Sequence, residues 1–181
     1  AQLGATHYCP EDVNLLLNIP KMDIYIPGSE AEVRFSLLNS VGSGLSYVRL
    51  SENKHDFYID FSGTQQLKHE PSKLGILFIG PSLRHFSSLK DKLKSNIYYC
   101  NKISSLADFD FSCLERLLII TDFYQDSLVS LIHYQNPNLL IRNIEPRKNF
   151  YRFYGTRDQA LSSLGCGFDD VADQVGVFES A

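Results

Sequence analysis

The sequence has no basic excess: 17 Lys and Arg stand against 21 Asp and Glu, for a net charge of −4. Phosphate backbones are met by clustered cations, so a nucleic-acid-binding surface is not expected. Long hydrophobic runs are also missing. Leu117-Leu118-Ile119-Ile120 is among the longest, far short of the roughly 20 apolar residues that cross a bilayer, so no membrane partner is expected. Residues 1–20 lack the basic start and continuous apolar core of a secretory leader. There is no C-x-x-C pair. Cys9, Cys100, Cys113 and Cys166 are scattered, which argues against a zinc site or a disulfide framework and for buried free thiols in a reducing cytoplasm.

What the sequence has is the composition of a folded chain. Of its 181 residues 44% are hydrophobic and 21% charged, as in an ordinary globular protein of one large domain or two small ones. Near the start, the turn Gly4-Ala5-Thr6-His7 leads into Pro10-Glu11-Asp12. Proline suits the first helical position, and acidic residues suit the first turn. Val13, Leu16 and Leu17 share a face that pins this helix to a core. His7 therefore sits just before a helix N-terminus, and histidine is the side chain suited to proton transfer near neutral pH.

The chain then alternates between strand and helix. Met22 to Pro27 is a short strand. Ser29-Glu30-Ala31-Glu32 is a capping box, opening a helix that carries Val33, Leu37 and Leu38 into the core. Leu45 to Leu50 is the second strand, and a strand–helix–strand unit favours a parallel pair. Phe57, Ile59 and Phe61 alternate with polar residues as in a half-buried strand, and Lys68 to Lys73 has linker composition. Further strands are expected at Gly75–Ile79, Ile97–Cys100, Leu117–Thr121 and Leu139–Ile144. Helices are expected after Ser82 as N-cap, bearing Leu83, Phe86, Leu89 and Leu93, and over 126–133, 157–164 and 168–175. Gly165 closes one of these helices. Such alternation over about 110 residues makes a doubly wound sheet.

The run G-A-T-H-x-x-x-E-D-x-x-x-L-x-x-I-P-x-M-x-x-x-x-P, with Gly4, Thr6, His7, Glu11, Asp12, Ile19, Pro20, Met22 and Pro27, resembles the second half of the pyrimidine-binding domain of transketolase-like, thiamine-diphosphate-dependent enzymes. The resemblance continues through Glu32 and Tyr47-Val48-Arg49-Leu50. More weakly, it reaches the family's C-terminal domain through Gly80, Gly155, Leu161, Gly165 and Asp170. It fits transketolases better than the beta subunit of 2-oxo-acid dehydrogenases. It implies an α/β protein: a partial pyrimidine-binding unit over residues 1–66, a linker over 67–73, and a doubly wound, mostly parallel C-terminal domain over 74–181. It also implies a catalytic, donor-contacting role for His7, with Thr6 beside it in substrate binding.

In that family the activating glutamate lies upstream of the turn, and the metal ligands lie in a separate domain. The resemblance therefore implies that this chain does not hold thiamine diphosphate and magnesium alone. It implies a partner, the N-terminal transketolase half or subunit, in a homo- or heterodimer, and transfer of a two-carbon ketol unit between sugars once completed. The start at Ala1, without Met, fits a fragment, a processed product or one subunit of a split enzyme. The alternative is a non-catalytic scaffolding subunit of the same fold.

Two departures bear on the substrate. Leu3 stands where many transketolases have an acidic residue that contacts substrate hydroxyls. Glu52 stands where many have an arginine that binds the substrate phosphate, and it would repel one. Lys54 and His55 stand nearby as replacement cations. His55, His69, His85 and His133 show no metal-ligand spacing, and His85 is expected in a solvated position. Asp122 follows a strand, at the end where α/β sites gather, but an N-cap role for the helix near Gln125 is expected of it. Phe150-Tyr151-Arg152-Phe153-Tyr154 is expected at a subunit interface.

Overall fold

A computed structural model describes residues 9–42, 44–148 and 155–181. The largest sheet is built on the apolar runs read from the sequence. β3 (Thr64–Lys68), β4 (Leu74–Ile79), β5 (Asn96–Cys100), β6 (Arg116–Ile120) and β7 (Leu140–Ile144) form one sheet in the order β3-β5-β4-β6-β7. β4, β5, β6 and β7 run parallel, and β3 closes one edge antiparallel to β5. A central parallel strand is covered on both faces, which is why these segments read as continuous hydrophobic runs.

Alternation along β4 divides the core in two. Leu77 and Ile79 point to one face, where α4 (Asp126–Gln135) buries Leu128 and Ile132. Ile76 and Phe78 point to the other, against α5 (Arg157–Ser163) and α6 (Phe168–Ser180) through Leu161, Val171, Val175 and Phe178. The doubly wound, mostly parallel α/β arrangement is therefore present.

A smaller unit precedes this sheet. α1 (Asp12–Leu16) leads to β1 (Asp23–Tyr25), α2 (Glu30–Ser40) and β2 (Ser46–Val48), and β1 and β2 pair in parallel. Val13, Ile24 and Ile26 join the same buried cluster as Leu77, Ile79 and α4. The two units thus share one continuous core on that face. Backbone contact fixes the join: the Ile26 N–H donates to the Asn101 carbonyl at 2.8 Å.

Several expectations are corrected. Leu67 and Lys68, expected in a linker, belong to β3: Lys68 pairs with Ile97, and Leu67 falls at the register shift between Gln66 and Lys68. Residues 57–61 keep alternating burial, with Ile59 buried, but pair in no ladder among the described residues. Ser82 does not cap a long helix. A 3-10 turn spans Gly80–His85 and only Phe86–Leu89, α3, is α-helical. The Ser82 hydroxyl instead accepts from the Ile79 N–H and donates to the Ile120 carbonyl, both at 2.8 Å, tying the ends of β4 and β6 together.

The largest reversal is in α2. Leu37 and Leu38, expected in the core, are exposed, and the buried positions are Glu32 and Ser36. Cys9 and Cys113 are exposed, while Cys100 and Cys166 are buried as expected.

Candidate functional site

Two buried polar clusters sit beyond the carboxyl ends of the strands. The first forms around Glu32. Ser29 caps α2 by accepting from the Glu32 N–H at 3.4 Å, and the Glu32 side chain turns back to accept from the Gly28 N–H at 3.0 Å. Its Oε1 also accepts from the Tyr99 hydroxyl at 2.7 Å and from Asn101 Nδ2 at 2.6 Å. His55 Nε2 lies 3.1 Å from both Glu32 Oε2 and the Tyr99 oxygen. The Tyr99 proton is directed at Glu32, so Nε2 is the donor and carries hydrogen. Burial would raise the Glu32 carboxyl, but the bonds from His55, Asn101 and Tyr99 hold it below the usual carboxylate range. The Tyr99 hydroxyl is pushed well up by burial and by Glu32.

The second cluster forms around Arg49 and Asp122. Arg49 follows β2, and its Nε donates to Asp12 Oδ2 at 2.9 Å while Nη1 donates to Asp122 Oδ1 at 2.8 Å. Tyr47 donates to Asp12 Oδ2 at 2.8 Å, and Arg157, in the first turn of α5, donates to Asp122 Oδ2. Burial would raise the Asp122 carboxyl; Arg49 and Arg157 hold it low instead. The chain of charges joins α1, β2, β6 and α5, since Asp122 lies just after β6.

The sheet order reverses between β4 and β6, the place where open α/β sheets bind ligands beyond their carboxyl ends. Here that crevice is filled from within. A cavity of about 10 Å³ remains, lined by residues including Ser82, His85, Asp122 and Cys166, enough for about one water. His85 is only 4% exposed, stacked near Phe168 at 4.6 Å between ring centroids. Burial, with Arg84 adding to it, pushes its imidazole down to about 4. A wider, open cleft of about 320 Å³ lies at the N-terminus of α2, lined by Pro27 to Glu30, Val33 and Ser51 to Lys54.

The sequence-derived sites fare unevenly. Thr6 and His7 lie outside the described residues, as do Leu3 and the aromatic segment 150–154. Glu52 is exposed on the open cleft. Lys54, a candidate replacement cation, is 3.5 Å from Glu30. His55, the other candidate, is buried against Glu32. His85 is buried rather than solvated. His69 and His133 are exposed. Asp122 is not the N-cap, which is Gln125; it is the counter-ion of two arginines. Sequence reasoning missed both clusters. A signal for the second was a lone arginine between the apolar residues Val48 and Leu50, just after β2. Among the described residues no group of three His, Cys, Asp or Glu could hold a metal ion, and no helix is long and apolar enough to cross a membrane.

No protein-family model and no curated protein matches the sequence. Solved structures do. A split-gene transketolase, described as an inactive beta4 tetramer, superposes with a TM-score of 0.74 at 17% identity over 97% of this chain. The fold is that of transketolases. The transketolase from Leishmania mexicana matches 98% of the chain with a TM-score of 0.70 at 11% identity, and that from Campylobacter jejuni matches 98% with 0.69 at 13%. The chain spans 63% of the split-gene protein but 28% and 29% of the other two. It is thus a portion of the transketolase fold, consistent with the C-terminal part.

Proposed function

We propose that the chain is the C-terminal portion or subunit of a transketolase-like enzyme that transfers a two-carbon ketol unit between sugars in the cytoplasm, active only when joined to the N-terminal half. The observation that carries this reading is the near-complete match to a split-gene transketolase. The G-A-T-H turn supports it in sequence. In this reading His7 hydrogen-bonds and orients the donor, with Thr6 beside it, and the partner completes a dimer.

Thiamine diphosphate and magnesium belong to the complete assembly. The family resemblance puts the metal ligands in a separate domain, so in this reading the metal–diphosphate site lies on the partner polypeptide. This chain's own contribution is the anchoring of the segment that follows the turn. The Pro10 carbonyl, just after the turn, accepts from the Tyr124 N–H at 2.8 Å. Asp12 is then clamped by Arg49 and Tyr47. Both contacts hold the segment that follows His7.

The test is ketol transfer by the chain combined with the upstream-encoded N-terminal polypeptide, as wild type and as His7→Ala. Loss of turnover by about 100-fold or more is expected for a positioned proton-transfer group. Unchanged turnover would remove His7 from the reaction. The scaffolding reading gains from Leu3 and Glu52, and a stable complex without activity would favour it.

A further inference from the structure

The open cleft of about 320 Å³ lies at the carboxyl ends of the small parallel pair: Pro27 follows β1 and Ser51 follows β2. That is the side of a parallel sheet on which ligands bind, and the volume is within the range of small-molecule pockets, about 300 Å³ upward. Its walls combine two chemistries. Pro27 and Val33 offer apolar surface, and Ser29, Ser51 and Asn53 offer hydroxyl and amide groups. The Ser51 oxygen accepts from the Asn53 N–H at 3.2 Å and the Ser29 oxygen from the Glu32 N–H at 3.4 Å, so each hydroxyl keeps its proton to donate. A sugar presents the matching pair, a C–H face and a set of hydroxyls.

The charge of the cleft decides which sugars fit. Among the described residues that line it, Glu30 and Glu52 are acidic and Lys54 is basic, two negative charges against one positive, a net of −1. Lys54 lies 3.5 Å from Glu30, so its charge is already shared. His55, the next residue, is turned inward and buried against Glu32. The N-terminus of α2 would attract an anion, but Glu30 and Glu32 occupy its first turn and offset the dipole. Glu52 stands exposed on the cleft.

We propose that this cleft binds an uncharged, polyhydroxylated substrate, a sugar without a phosphate group, and that Glu52 is the residue that excludes the phosphorylated form. The proposal rests on the ketol-transfer reading above and names the class of sugar it uses. A phosphate dianion about 6 Å from a single carboxylate is disfavoured roughly 10-fold even at the dielectric of water. A sugar hydroxyl in the same place donates to that carboxylate instead, in a charge-assisted hydrogen bond.

The experiment uses the chain assembled with the upstream-encoded polypeptide, thiamine diphosphate and magnesium, and compares D-xylulose with its terminal phosphate ester as donors. The ratio kcat/KM should favour the free sugar by about 10-fold or more. Added salt should narrow that gap, because screening weakens the repulsion. Glu52→Arg should shift the preference toward the ester, mainly through the KM of the ester. Glu52 is exposed, so the variant keeps its fold, checked by circular dichroism. A wild type that prefers the ester, or a preference that Glu52→Arg leaves unmoved, overturns the proposal and leaves the ketol-transfer reading standing. If neither sugar turns over, the ketol-transfer reading fails, and calorimetric titration of the same assembly decides the proposal separately. Binding of the free sugar in preference to the ester supports it. Tighter binding of the ester, or no binding of either, overturns it.

Discussion

Replacing His85 by leucine should flatten the acid dependence of stability. His85 lies in the turn after β4, 4% exposed, with Arg84 beside it and the Phe168 ring 4.6 Å away. Its Nδ1 is buried without a hydrogen-bond partner, so the neutral ring is the form this site tolerates. Burial and Arg84 move its pKa from 6.5 to about 4, and Asp158 and Asp122 only partly oppose them. The folded pKa is the lower one, so the unfolded chain takes the proton first. The stability this group contributes is complete above about pH 6.5 and is lost as pH falls from there to about 4. At about 1.4 kcal/mol per unit, that window amounts to about 3 kcal/mol. Glu32 and Asp122, whose carboxyls are held low, begin to lose their contributions as pH falls into the ordinary carboxylate range. They overlap the His85 window only at its acid end, and the variant retains both, so they cancel in the comparison. Urea unfolding of the wild type and of His85→Leu, at neutral pH and in steps down to about pH 4, measures the difference in slope. The wild type should lose about 3 kcal/mol more than the variant across that range. Parallel curves would mean that His85 is protonated without penalty, and the burial argument would be wrong.

Two further substitutions test the clusters and the join between the units. Asp122→Asn leaves the buried Arg49 and the half-buried Arg157 without their shared counter-ion and should cost about 3 kcal/mol in denaturant unfolding; a loss under about 1 kcal/mol would mean that water already solvates the arginines. Gly80→Ala places a Cβ 2.5 Å from the Ile26 carbonyl oxygen in a residue at φ +54°, so about 2 kcal/mol of destabilisation is expected, and a thermal midpoint equal to wild type would show that the β1–β4 approach is not close in solution.

Much of the larger sheet was legible because its strands are buried on both faces. Leu74–Ile79 and Arg116–Ile120 are apolar at nearly every position, and such runs have few other places to go. The capping motif at Ser29 was legible because the bonds that satisfy a helix start span three residues. Long-range pairing left no such trace. His55 meets Glu32 across 23 positions of chain, and Arg49 meets Asp122 across 73. Residue spacing carries no information about contacts made by two strands ending side by side. The direction of α2 failed for a related reason. Its leucines are apolar whether they face this chain's core or another polypeptide. The one local hint was the polar pair Glu32 and Ser36, four residues apart on one side.

The sequence by itself therefore determined the alternation of strands and helices and the double covering of the central strands. Those follow from hydrophobic periodicity and local backbone preference, which act over a few residues. Only the tertiary structure decided that the crevice between β4 and β6 is filled by an ion-paired cluster, that His55 and His85 are interior, and that α2 presents its apolar side outward. Those depend on which strand ends meet and on which face of a helix finds a neighbour, and both are set by packing between distant parts of the chain.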